Sequence, residues 1–198
     1  ISKYKNSIKI YGSTKYIKKL LNNYINIKLD KKLFQGNNVL YVKSFLKHEK
    51  KRNSDIIEIH NRPKYLDLIN KNSKAKIFLY FHNDPLSMTG SKTIIERINL
   101  LKNSDKIIFN SNWSKKRFLT GLNDHDNKDK LLTIYQSAPK TKINFNKKEK
   151  LISFIGKLNI AKGYDLFGSS IVKILNKHKD WKAVVIGDEP REKILFKH

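Results

Sequence analysis

The chain has 198 residues, 39% hydrophobic and 11% aromatic, with no cysteine and a formal net charge of +25. That length buries one good core, or one domain and part of a second; the composition excludes a disordered chain, and the lack of cysteine excludes a disulfide framework, a thiolate metal site and a cysteine nucleophile, which suits a reducing compartment. The charge is nearly all lysine, scattered among Asn and Ile from end to end, as compositional drift in an AT-rich coding sequence would leave it; an anionic membrane surface and nucleic acid are the other readings of such a charge.

In chain order, the first fifty residues are the least regular. Lys9 to Tyr11 and Val39 to Val42 read as strands, with Thr14 to Tyr24 a helix between them. From there short apolar runs recur, each of strand length and each followed by a helical pattern: Ile56 to His60, Lys76 to His82, Lys106 to Ser111, Leu131 to Ser137, Leu151 to Leu158 and Trp181 to Asp188. Between them, Ser91 to Asn103 carries Ile94, Ile95, Ile98 and Leu101 on one helical face. Asn112 to Leu122 follows a Ser-Asn pair of capping type, and Gly163 to His178 carries Phe167, Ile171, Ile174 and Leu175. Strand and helix alternating at this spacing predict an α/β fold with doubly wound parallel sheets.

The stretch Pro139 to Lys150 is polar, charged and without period, so residues 141–150 are expected to link a domain at 1–140 to a second that opens at 151. The sequence begins at Ile1 rather than Met and ends at His198 inside a helical pattern, so it reads as a fragment cut at both ends. No apolar run approaches the roughly 18–20 residues that span a bilayer.

Ligands gather at the carboxyl ends of strands in such sheets. The sharpest signal there is Phe154 to Gly163, F-I-G-K-L-N-I-A-K-G, which leaves a strand, turns through Gly156 and enters a helix. Lys157 and Lys162 bring two ammonium groups toward a helix start whose free N–H groups favour an anion, which is the chemistry of a diphosphate site. A turn with two solvated lysines has the same spacing. Upstream, Tyr80-Phe81-His82-Asn83-Asp84 ends one strand and Ile59-His60-Asn61-Arg62-Pro63 ends the one before it. If those strands are neighbours, His60 and His82 lie side by side; a histidine at a strand exit is otherwise solvated, and Arg62 is open to a structural ion pair.

These elements together resemble the family 4 glycosyltransferases of GT-B fold. Phe154 to Gly163, with Tyr164-Asp165-Leu166-Phe167 and Trp181 to Pro190, is similar to the opening of that family's nucleotide-sugar domain. Tyr80 to Asp84 is similar to its strand-then-histidine element, Asn110-Ser111-Asn112-Trp113 to its serine-bearing strand end, and Tyr135-Gln136-Ser137 stands where its Asn-Gly usually does.

The resemblance implies two Rossmann-like domains: an acceptor-side domain at residues 1–140, cut at its start, and the beginning of a donor domain at 151–198. It implies that Gly156, Lys157, Lys162 and Gly163 hold the donor diphosphate and that His82 acts beside the transferred sugar. His60, Asn61, Arg62, Asn83, Asp84 and Ser111 would line the acceptor side. The two glutamates about seven residues apart with which relatives bind sugar and ribose have no counterpart before His198. The implied activity is retaining, metal-independent, hexosyltransferase-type transfer from a nucleotide sugar to a glycan or lipid-linked saccharide in cell-surface polysaccharide synthesis. Neither cofactor nor metal is expected, nucleic acid is not an expected partner, and the expected location is cytoplasmic with peripheral contact at an anionic inner membrane face.

Asp124-His125-Asp126 has the form of a metal-binding D-x-D but sits in an Asn/Lys-rich loop, where solvated side chains are the simpler reading. No Gly-x-Ser-x-Gly, His-Glu-x-x-His, Walker-type loop or Gly-x-Gly-x-x-Gly occurs, which speaks against hydrolase, zinc protease, triphosphatase and dehydrogenase. The remaining rivals are a basic binding module for nucleic acid or anionic membrane, and another GT-B enzyme such as an epimerase or phosphorylase.

Overall fold

Alternation of apolar and polar residues writes the first long strand. In β3 (Ile56–His60) Ile57 and Ile59 point into the core while Ile56, Glu58 and His60 point out. β4 (Lys76–Phe81) repeats the pattern with Ile77, Leu79 and Phe81 inside. β5 (Lys106–Phe109) and β6 (Leu131–Thr133) complete a parallel sheet in the order β3-β4-β5-β6. These strands belong to a computed structural model of the chain that describes residues 8–14, 22–29, 36–122, 128–140, 142 and 148–188.

The chain divides into two compact units, Ile1–Ala138 and Pro139–His198. In the first, α2 (Leu66–Asn70) connects β3 to β4, α3 (Ile94–Asn103) connects β4 to β5, and α4 (Asn112–Leu119) lies between β5 and β6. Parallel neighbours need such crossovers, because no tight turn reverses the chain twice. Strand order follows the sequence, so the reversal expected of a doubly wound sheet is not found among the described strands of this sheet. Instead β1 (Ile10–Gly12) and β2 (Tyr24–Asn26) pair with one another, in parallel, as a separate sheet.

The core is apolar and tightly stacked. Phe81, Phe109 and Phe118 are fully buried, with ring centroids 5.3–5.8 Å apart, and α1 (Asn37–Arg52) adds Val42, Phe45 and Leu46. Tyr11 of β1 meets Phe45 edge-on at 4.9 Å, which ties the small sheet to that helix.

Three expectations are corrected here. Val39 to Val42, read as a strand, lies within α1, because the apolar positions Val42, Phe45, Leu46 and the buried Glu49 fall at helical spacing and outweigh a short β-branched run. Tyr24 starts β2 rather than ending a helix; residues 15–21 of that expected helix lie outside the described residues. On α3 the buried residues are Arg97, Leu100 and Leu101, whereas Ile94, Ile95 and Ile98 are exposed, Ile95 by 80%.

In the second unit, β7 (Leu151–Ile155) and β8 (Lys182–Ile186) pair in parallel, with α5 (Tyr164–Lys177) between them in sequence. Phe154 packs on Phe167 at 5.3 Å. A Cβ added at Gly187 would stand 1.7 Å from the Gly156 carbonyl oxygen, so the strand ends touch through bare backbone. All strand pairings among the described residues are parallel, and the architecture is a Rossmann-like α/β one.

Candidate functional site

The register of β3 against β4 sets His60 opposite Tyr80 and Glu58 opposite Phe78. Because side chains alternate, Glu58, His60, Tyr80 and His82 emerge on the same face. The rings of His60, Tyr80 and His82 lie nearly parallel, with centroids 4.4–5.5 Å apart and interplanar angles of 14–18°. His60 Nδ1 lies 2.8 Å from His82 Nε2, and His60 Nε2 lies 3.2 Å from a Glu58 carboxylate oxygen. On the other side of the His82 ring, Nδ1 lies 2.8 Å from the Gln136 side-chain nitrogen.

The backbone around His82 is also pinned. Asn61 adopts the left-handed conformation (φ 53°), donates its own N–H to the Tyr80 carbonyl at 2.9 Å, and accepts the His82 N–H through its side chain at 2.8 Å. Asparagine tolerates that conformation better than most residues. The Asn110 amide donates to the His82 carbonyl at 2.8 Å, and the Tyr80 hydroxyl donates to the Ile134 carbonyl at 2.7 Å. Four strand ends thus meet at His82, with two side chains bonded to its ring and two to its backbone.

Electrostatics follow from this crowding. Burial, and then the charge of His60, push the His82 pKa below its ordinary value, with Glu58 opposing. The hydrogen bond from His60 holds the Glu58 carboxyl below the usual carboxylate range, against some desolvation.

A recess of about 460 Å³, which neither His60 nor His82 lines, opens between the Asn61–Tyr65 turn and the Asn83–Thr89 turn. Arg62, Lys64, Asn61 and Asn83 line it along with Tyr65. The Arg62 guanidinium donates to the Asn61 carbonyl at 3.0 Å. Tyr65 stacks on Tyr41 at 5.5 Å, and burial raises the Tyr41 pKa to about 12.

His60, Asn61, Arg62, Asn83 and His82, which the sequence singles out, thus fall in one neighbourhood. Two others have structural tasks of their own. Asp84 caps the turn Pro85–Ser87 through the Leu86 N–H at 3.0 Å and pairs with Arg117 at 3.3 Å. Ser111 caps α4, accepting the Ser114 N–H at 3.1 Å. The sequence pattern does not single out Glu58 or Tyr80 as site residues, and marks Gln136 only by its position. The outward half of the period-2 pattern Ile56-Ile57-Glu58-Ile59-His60 carried the signal for Glu58.

In the second unit, Gly163 takes φ 71° at the junction of the turn Ile160–Lys162 and α5, a left-handed conformation that favours glycine. Lys157 and Lys162 are both exposed on this segment, before the first turn of the helix. At Gly156 an added Cβ would meet nothing closer than the Phe154 ring at 3.8 Å. The D-x-D at Asp124 to Asp126 lies outside the described residues. Among the described residues no cluster of three metal-ligating side chains is present, and no helix is long and apolar enough to cross a membrane.

Neither a protein-family model nor a curated protein matches the sequence. Among solved structures, the chain is similar to one from the crystal structure of accessory secretory protein 1, 2 and 3 in Streptococcus pneumoniae, at 12% identity and a TM-score of 0.51. The likeness covers 77% of this chain but spans only 36% of the other. At that identity it concerns the fold alone, in agreement with the parallel α/β architecture.

Proposed function

We propose that this chain is part of a retaining, metal-independent glycosyltransferase of GT-B type that moves a sugar from a nucleotide-sugar donor to a hydroxyl of a glycan or lipid-linked saccharide. The observation that carries the reading is the meeting of Asn61, Asn110, Gln136 and His60 on His82 at the carboxyl ends of parallel strands, where such sheets bind ligands. In this reading the first unit serves the acceptor. Arg62, Lys64, Asn61 and Asn83 offer it cationic and amide donors in the recess they line, and His82 orients and polarises near the reacting sugar.

The second unit serves the donor. Lys157 and Lys162 meet the charge that develops on the departing diphosphate, assisted by the unpaired N–H groups at the start of α5. A positively charged surface, from the net +25, would keep the enzyme at an anionic membrane where lipid-linked acceptors reside.

The test is transfer from a panel of nucleotide sugars by the intact enzyme and by two variants. Lys162→Ala is expected to lower turnover by a factor on the order of 100, the usual cost of one lost transition-state contact. His82→Ala is expected to damage transfer more than nucleotide binding. A Lys162→Ala enzyme of near-normal rate removes the diphosphate clamp, and equal loss of transfer and nucleotide binding in His82→Ala makes that residue a folding element. Absence of any transfer, with binding that falls steeply with salt, would favour a basic binding module instead.

A further inference from the structure

We propose that Glu58 and His60 are positioning residues that hold His82 in a single tautomer, with its proton on Nε2 and a bare lone pair on Nδ1, so that the ligand group received at Nδ1 is an uncharged hydrogen-bond donor such as a sugar hydroxyl. That the hydroxyl belongs to a transferase substrate rests on the reading above. The tautomer does not.

The argument runs from the carboxylate inward. An ionised Glu58 can only accept, so His60 Nε2 at 3.2 Å carries a hydrogen and donates it. A neutral imidazole with a hydrogen on Nε2 has a lone pair on Nδ1. His82 Nε2, 2.8 Å from that lone pair, must therefore be the donor. The same rule then leaves His82 Nδ1 as an acceptor, and the atom 2.8 Å away from it is the Gln136 amide nitrogen, which donates. One proton assignment satisfies every contact from Gln136 to Glu58. The opposite direction would set a His60 lone pair against a carboxylate, and relieving it needs an additional proton.

The surroundings leave the relay to decide. Glu58 and His60 face His82 from β3, and these are the charged or titratable groups that act on its ionisation. From β4, Tyr80 stacks on the ring but spends its hydroxyl on the Ile134 carbonyl. From beyond β5 and β6, among the described residues, come the uncharged Asn110 and Gln136. Gln136 is exposed on the segment after β6, so a ligand hydroxyl can replace its amide and make the same hydrogen bond. A phosphate or carboxylate oxygen cannot, because it would bring a second lone pair to Nδ1. Below the pKa of His82, its Nδ1 gains a proton and the preference inverts.

Histidine-selective ¹⁵N NMR of the 198-residue chain tests this without any turnover, so failure of the transferase reading leaves the result intact. Above about pH 8, where His82 is neutral because its pKa lies below the ordinary histidine value, the expected spectrum shows it with a protonated Nε2 and an unprotonated Nδ1. Glu58→Gln, on a half-exposed side chain, is expected to keep the backbone amide spectrum, lower the apparent pKa of His82 and mix its tautomers. Glu58→Asp is expected to restore part of both. His60→Gln, a second break in the chain, is expected to mix the tautomers as well. A protonated Nδ1 in the unaltered protein, or variants whose His82 tautomer and apparent pKa match it, would overturn the proposal.

Discussion

Arg97 is 2% exposed and has no carboxylate within ion-pair distance among the described residues. Its guanidinium instead donates to the carbonyls of Lys92 at 2.8 Å and Thr120 at 2.6 Å, with a longer contact to Ser91, so one cation ties the start of α3 to the end of α4. Burial lowers its pKa accordingly. His82 has the opposite character, since it is held neutral rather than charged. Its folded pKa lies below the ordinary 6.5, so the unfolded chain binds the proton more readily, and the stability it contributes is present above that value and lost as pH falls through the folded pKa. Glu58, depressed from 4.5, contributes stability present above that value and lost at still lower pH. The urea midpoint of the chain is therefore expected to drop as pH falls from about 7 to about 5, across the ordinary histidine pKa and below it, and His82→Gln to shrink that drop. A midpoint that does not move over this interval would contradict the assignment.

At the scale of elements, caps decide where helices begin. Thr93 accepts the Glu96 N–H at 3.2 Å and Glu96 accepts the Thr93 N–H at 3.0 Å, a reciprocal box that starts α3. Thr93→Ala is expected to cost about 1 kcal/mol, read as a lower denaturant midpoint at unchanged slope. That box, Thr93-Ile94-Ile95-Glu96, was open to reading in the sequence, yet the apolar run Ile94, Ile95, Ile98 drew the buried face to the wrong side. Hydrophobic periodicity assumes that the core takes the apolar residues, and here a buried arginine, its two terminal nitrogens bonded to carbonyls, displaced them. The strands were easier. Their runs of Ile, Phe and Tyr have strand length, and β3, β4, β5 and β7 begin at the expected residues. β6 stops short at Thr133, although the Ile134 N–H still reaches the Phe109 carbonyl at 2.9 Å.

Over the whole molecule, helices and parallel strands were legible because each crossover leaves its own apolar pattern. The pairing of β1 with β2 was not, since strand partners are chosen by long-range packing that short segments do not encode. The same limit applies to the site. His60 and His82 could be placed at adjacent strand ends from sequence, but the direction of their hydrogen bonds needs Glu58 and Gln136, which are 78 positions apart in the chain. The core beneath them rests on Phe81, Phe109 and Phe118. Phe118→Ala is expected to cost about 3–5 kcal/mol, measured by chemical denaturation. A loss below 1 kcal/mol would show that this ring does not support the sheet.

The pairing of Ile57 with Ile77 and of His60 with Tyr80 has a consequence for folding fidelity. A slip of one residue between β3 and β4 would turn Glu58 and His60 into the core and Ile57 and Ile59 out to water. The bond from His82 to His60 therefore forms only in the correctly threaded sheet, and its imidazole proton signal serves as a proofreading mark that separates native molecules from compact, mispaired ones.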